Sequence, residues 1–393
     1  MIDYDKVLSE KCKTIKPSGI RKFFDLAASV EGVISLGVGE PDFQTPWTIR
    51  QEAINELEKG KTKYTANSGL SELKAAVSEY TMKKIGVKYD PEKEVLITVG
   101  GSEGIDICLR SLINPGDEIL VVEPCFVCYA PIVTLTGGIP VSIETKEENG
   151  FKVTAEEIKE KITPKTKLLI LPFPNNPTGG IMTKEDYLPI AEAIKDTDIM
   201  VLTDEIYSEL TYSGKHFSFA AIEGMRERTI VVDGFSKAYA MTGWRMGYVL
   251  APQPLMTQML KIHQYAIMCS PTISQYAALE ALKSCEKDVE KMRSEYDMRR
   301  KWLVKALNDI GLEYFEPMGA FYVFPSIKST GLSSEVFCDR LVNEYKVAVV
   351  PGNAFGSCGE GHIRISYAYS IKHLMTAIDR IKAFLDKVKS ENA

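Results

Sequence analysis

Residues 229–251 read TIVVDGFSKAYAMTGWRMGYVLA, and the way this stretch begins and ends decides the fold. TIVV (229–232) and YVLA (248–251) are short apolar runs without alternation, the pattern of strands covered on both faces. Between them stand a lysine, Lys237, and an arginine, Arg245, among small residues such as Gly234, Ser236 and Gly243 that let a ligand approach the backbone.

Outward from it, runs of the same kind recur: VLITV (95–99), ILVV (119–122), LLIL (168–171) and IMVL (199–202). They alternate with amphipathic stretches such as Leu70 to Lys84. The alternation predicts an α/β fold with a mostly parallel central sheet in a large domain over residues 46–285. After a polar-faced helix around Glu286 to Asn308 come AFYVF (320–324), VAVV (347–350), IRIS (363–366) and a last helix from about Ile371. This grouping predicts a smaller α+β domain formed by residues 1–45 and 286–393. Open α/β sheets bind ligands beyond the carboxyl ends of their strands, so a substrate is expected between the two domains.

The composition sets limits. A chain of 393 residues is too long for one small module, and 45% apolar with 25% charged residues is globular. Lys plus Arg is 47 against 53 Asp plus Glu, a net charge of −6, which gives no global pull toward nucleic acid or anionic lipid. No window has the run of apolar residues of a membrane span, and the first residues lack a signal-peptide core, so a cytoplasmic protein with reduced thiols is expected. Cys125 and Cys128 form a C-x-x-C that Pro124 and Pro131 bracket in a loop, which argues against a redox pair. Lys146 to Glu148 reads as a solvated loop, and no metal-binding or Walker motif occurs.

Chemistry gathers at the strand ends. Lys237 could condense with an aldehyde once burial or a neighbouring cation lowers its pKa, while Arg245 and Ser236 could hold a phosphate. Asp204 in TDEIY could pair with a ring nitrogen, and Tyr207 and Asn176 could donate to a phenolic oxygen. Phe126 offers a stacking surface, and the Gly101-Ser102-Glu103 turn opens a helix whose amides suit an anion. Together these meet the requirements of pyridoxal 5′-phosphate. A rival lies in Gly100 to Gly104, which satisfies the G-x-S-x-G of serine hydrolases. That reading needs a histidine, and His216, His263, His362 and His373 stand in no distinctive setting.

The segments GEPDF (39–43), KYTANSGLSEL (63–73), NNPTGG (175–180), TDEIYSEL (203–210), GFSKAYAMTGWRMG (234–247), GAFYVF (319–324), VVPGNAFG (349–356) and HIRISYA (362–368) resemble class I aminotransferases of fold type I. The resemblance runs from about residue 17 to the last helix. It implies a pyridoxal phosphate enzyme of amino acid metabolism. Such an enzyme moves an amino group from an L-amino acid to a 2-oxo acid such as 2-oxoglutarate, by a ping-pong mechanism through a Schiff base on Lys237.

By the same resemblance Asp204 pairs with the pyridinium, Tyr207 and Asn176 bind the phenolic oxygen, and Phe126 stacks on the ring. Gly101, Ser102, Glu103, Ser236 and Arg245 hold the phosphate, and Arg364, helped by Gly39 and Asn176, takes the substrate α-carboxylate. Tyr64 would reach the phosphate of a neighbouring subunit, which implies a homodimer with shared sites.

Two positions depart from the family pattern. Gly234 stands where many relatives carry a hydroxyl, and Ser102 where an aspartate-specific branch carries a lysine. SGIRKFFDLA (18–27) and GGSEGID (100–106) look closer to branches acting on aromatic amino acids or N-acylated diaminopimelate. β-Lyases and decarboxylases share the fold and the lysine, so the fold alone does not fix the reaction.

Overall fold

A computed structural model describes residues 2–17, 19–20 and 30–392; Ser18 and residues 21–27 of the SGIRKFFDLA segment fall outside the described residues. A short strand β1 (Ile34–Ser35) precedes a seven-stranded sheet made of β2 (Val95–Thr98), β3 (Glu118–Glu123), β4 (Ile139–Glu144), β5 (Thr166–Leu171), β6 (Met200–Asp204), β7 (Thr229–Gly234) and β8 (Gly247–Leu250). Their spatial order is β2-β8-β7-β6-β5-β3-β4. All neighbours pair in parallel except β8, which runs antiparallel to both β2 and β7. The sheet is thus mostly parallel, as the apolar runs indicate.

Alternate residues of each central strand face opposite layers. Ile230 and Val232 pack with helices Gly101–Leu112 and Gln253–Ala266, whereas Val231 packs with helices Ser71–Ile85 and Thr272–Ser284. All three are buried, and each such side chain contributes about 1.5–3 kcal/mol of hydrophobic stabilisation. Both faces are covered, so continuous apolar runs are the pattern these strands require.

Beyond helix Glu286–Asp309, IRIS (363–366) is strand over its whole length, whereas the other two runs are shorter strands than the sequence suggests. Of AFYVF only β9 (Tyr322–Val323) is strand, and VAVV divides into β10 (Val347–Ala348) and β11 (Val350–Pro351). β10 pairs in parallel with β1, while β11 pairs with β12 (Ile363–Ser366), which pairs with β9. Residues 34–35 are thereby tied to residues 347–348.

Two local expectations need correction. Cys128 is the N-cap of helix Tyr129–Thr136, with Pro131 inside its first turn, where a missing amide costs no hydrogen bond. The C-x-x-C therefore does lead into a helix. Burial nevertheless pushes both thiols well above their usual range, the opposite of a reactive pair. Glu147, read as part of a solvated run, lies 3.2 Å from His362 Nε2, and this contact holds its carboxyl below the usual range.

Candidate active site

Strand direction explains why distant residues meet. β3, β5, β6, β7 and β2 all present their carboxyl ends at one edge of the sheet, and β8, running the other way, presents its beginning there. Phe126, Asn176, Asp204 and Lys237 follow or end such strands, Gly101 starts the helix after β2, and Arg245 stands just before β8, separated from it by Met246. They line one cavity of about 360 Å³ together with Gly39, Ser102, Tyr207, Ser236 and Arg364.

At one end Arg245 and the amino end of helix Gly101–Leu112 come together. Gly100 has φ +78°, which favours glycine, and a Cβ on it would lie 2.6 Å from an Arg245 guanidinium nitrogen. A Cβ on Gly247 would lie 2.6 Å from the Gly100 carbonyl carbon and 2.7 Å from the Gly101 nitrogen. Arg245, itself at φ +56°, donates to the Thr242 carbonyl at 3.0 Å. Gly234 also needs to be glycine, because a Cβ there would meet the Gly247 Cα at 2.8 Å. A hydroxyl-bearing side chain would not fit at that position.

At the sheet centre Asp204 is buried, with one carboxylate oxygen accepting from Tyr129 Oη at 2.7 Å and the other from the Ile206 amide at 3.2 Å. Burial raises its pKa to about 6 against these hydrogen bonds, which favour the ionised form. A cationic ring nitrogen beside it would favour the carboxylate further.

Lys237 donates from Nζ to the Gly39 carbonyl at 2.6 Å and lies 5.8 Å from the Tyr207 ring and 5.9 Å from that of Phe321. Burial lowers its pKa to about 8; Glu40 and Asp204 oppose the shift, and Arg364 and Arg245 add to it.

Arg364 on β12 is buried and donates to Asn176 Oδ1 at 2.8 Å and to the Gly37 carbonyl. Its guanidinium lies over the rings of Tyr322 and Phe355, at 4.4 and 4.8 Å, and its Nε is unpartnered. Among the described residues it has no carboxylate partner, a costly state for a buried cation unless an anion arrives.

Not every expected residue lines the cavity. Tyr64 is 81% exposed, and the Glu103 side chain turns toward the Val99 amide and His263. The four histidines are engaged with Glu205, Glu103, Glu147 and Ser370, and none pairs with Ser102, so the hydrolase arrangement is not assembled. Sequence reasoning missed Tyr129, Tyr322 and Ile20. Tyr129, three residues after Phe126, was visible as a hydroxyl just beyond β3. Tyr322, whose hydroxyl meets that of Tyr207 at 2.8 Å, was hidden in what reads as an apolar strand.

This α/β fold brings an amine, Lys237, and two guanidinium groups, Arg245 and Arg364, into one cavity at the sheet edge, a set of groups suited to an enzyme that handles anionic ligands. Comparison with known proteins makes the class specific. Residues 31–381 match the family model described as aminotransferase class I and II. The chain is 54% identical to the putative aminotransferase YugH of Bacillus subtilis, over 97% of this chain and 98% of that one. It is 46% identical to aromatic-amino-acid aminotransferase 2 of Thermococcus litoralis, over 97% and 99%. The solved aspartate aminotransferase of Thermus thermophilus with maleate superposes with a TM-score of 0.91 at 36% identity, over 96% and 99%.

The chain belongs to the class I and II aminotransferase family and is a fold type I, pyridoxal phosphate-dependent aminotransferase. Its residues fit that cofactor: the absence of a Cβ on Gly100 lets the Arg245 guanidinium lie against the start of the helix, a carboxylate is buried at the strand end, and an amine of lowered pKa lies in the same cavity. Among the described residues no helix is long and apolar enough to cross a membrane.

Proposed function

We propose that this enzyme transfers the amino group of an L-amino acid to a 2-oxo acid such as 2-oxoglutarate in a ping-pong sequence, with Lys237 as the amine that joins the cofactor covalently. One observation carries the reading. A single cavity holds a half-buried amine of lowered pKa and two guanidinium groups, Arg245 and Arg364, without carboxylate partners among the described residues. When bound, pyridoxal phosphate supplies an aldehyde for imine exchange and a protonated ring that accepts electron density from the substrate Cα.

The remaining work falls to the chain. Arg364, fixed by Asn176 and the Gly37 carbonyl, clamps the α-carboxylate in a bidentate fork. With its amine free, Lys237 would move the substrate Cα proton, first as base and then as acid. A pKa of about 8 leaves part of that amine neutral near pH 7. Of the residues lining the cavity, Asp204 would keep the ring nitrogen of the bound cofactor protonated, Tyr207 and Asn176 would hold its phenolic oxygen, and Phe126 would offer its ring a stacking surface. Tyr322 orients Tyr207 through their shared hydrogen bond. Ser236, Arg245, Gly101 and the amides of Ser102 and Glu103 would hold the phosphate at the amino end of helix Gly101–Leu112.

The donor is of aromatic, aspartate or N-acyl-diaminopimelate type. Ile20, Ile105, Phe126 and Pro174 give the cavity apolar walls, and Ser102 offers no cation to a distal carboxylate, so the aromatic reading has more support than aspartate. Assaying the twenty amino acids and N-acetyl diaminopimelate against 2-oxoglutarate tests this. Aspartate as the preferred donor would contradict it, and intersecting rather than parallel initial-velocity lines would contradict the ping-pong sequence.

The same proposal includes a homodimer. Tyr64 and Tyr265 are 81% and 88% exposed, and Asn67 Nδ2 donates to the Met268 carbonyl at 2.7 Å, joining both segments in one face with exposed apolar side chains. Such a face suits a second copy that receives Tyr64 at its phosphate. The large domain would span residues 46–285, with residues 1–45 and 286–393 forming the small one. A cytoplasmic location agrees with eight cysteines that are all free.

A further inference from the structure

Glu103 poses a problem of charge. It is the third residue of helix Gly101–Leu112, whose amino end carries roughly half a positive charge. A carboxylate in that first turn competes with a phosphate for the same field. Its side chain is turned aside: one oxygen accepts from the Val99 amide, and the other meets His263 Nδ1 at 2.6 Å. With Glu103 ionised, the carboxylate can only accept, so Nδ1 carries the proton.

His263 lies on helix Gln253–Ala266, which packs against helix Gly101–Leu112 through Met256 and Met259. It has no exposed surface, and its Nε2 has no partner among the described residues. An imidazole buried with one orphaned nitrogen is costly in such a layer, where an apolar side chain would avoid the cost. The Nδ1 contact is therefore the feature to explain.

We propose that His263 is a positioning residue for the cofactor phosphate. By donating to Glu103 it offsets the carboxylate charge and holds that side chain back, leaving the amides at the start of the helix free for the phosphate. This rests on the assignment of the phosphate to the Gly101–Glu103 turn and Arg245.

The test uses the full chain stripped of cofactor and titrated separately with pyridoxal 5′-phosphate and with pyridoxal, which lacks the phosphate. The readout is the preference for the phosphorylated form, the ratio of the two affinities. His263→Leu leaves the Glu103 carboxylate with the Val99 amide as its remaining partner and should lower the preference by about tenfold or more, with pyridoxal affinity nearly unchanged. Adding Glu103→Gln to it should restore the preference, and Glu103→Gln alone should not weaken binding of the phosphorylated form. A parallel loss of both cofactors in His263→Leu, or a lowered preference in either Gln variant, would overturn the proposal. Neither Gln variant buries an unpaired carboxylate, so both decide the matter even if His263→Leu fails to fold. Arg245→Leu separates the two claims: an unchanged preference there would remove the phosphate assignment itself.

Discussion

Asp204 is a carboxylate that folding takes out of water before any cation is present to compensate. Its pKa rises from 3.8 to about 6, so between those values the folded chain keeps a proton that the unfolded chain has lost. Stability of the cofactor-free protein should fall as pH rises through that window, leaving a cost of up to about 3 kcal/mol above it. Asp204→Asn should accordingly make the cofactor-free protein more resistant to denaturant at pH 7.5 while lowering the transamination rate by about 10²–10³-fold. A variant that loses both stability and activity would show that Asp204 serves the fold instead. Lys237 gives the complementary case: uptake of pyridoxal should rise with pH around a midpoint near 8, where burial places the amine, and a midpoint near its ordinary 10.5 would contradict its placement. Arg364→Ala should raise KM for every α-carboxylate substrate by about 10- to 100-fold, and loss confined to one substrate would contradict a clamp common to all.

At the scale of elements, the antiparallel β8 explains how Arg245 can precede a strand and still share a cavity with Phe126, Asn176 and Lys237, which follow theirs. The approach of β8 to the Gly100–Gly101 turn leaves no space at Gly247, whereas Gly243, in the same segment, has no atom within 4 Å of its would-be Cβ. Gly247→Ala should therefore weaken cofactor binding and cost about 1–3 kcal/mol of stability, with Gly243→Ala near the parent in a thermal melt and a cofactor titration. Equal behaviour of the two variants would contradict the close approach. The central strands were legible because both of their faces are buried, so apolar runs and strands coincide. β4 was not, since it is an edge strand with Pro140 in it and exposed residues along it. Nor was the division of VAVV. Val347 joins β1 and Val350 joins β12, a separation set by tertiary pairing that no local pattern in four small apolar residues records.

At the scale of the whole molecule, the cavity draws on residues from Ile20 to Arg364, so its contents could be named from strand ends while its contacts could not. Lys237, Asp204 and Asn176 follow apolar runs and were visible; the Tyr207–Tyr322 and Tyr129–Asp204 bonds join segments that no spacing rule connects. Tyr64 is exposed on a single chain, and the dimer proposal gives it a task across the interface. Mixing Lys237→Ala with Tyr64→Ala chains under exchange conditions should give more activity than the two parents combined, because one site of each hybrid then has both residues intact. Activity no greater than that sum would contradict shared sites.

The most direct measurement of the central claim is borohydride reduction of the enzyme as purified with its cofactor, followed by peptide mapping. The cofactor should be found fixed on the peptide containing Lys237, with Lys237→Ala giving no adduct and no transamination. A stable adduct on another lysine, or undiminished activity in that variant, would contradict it.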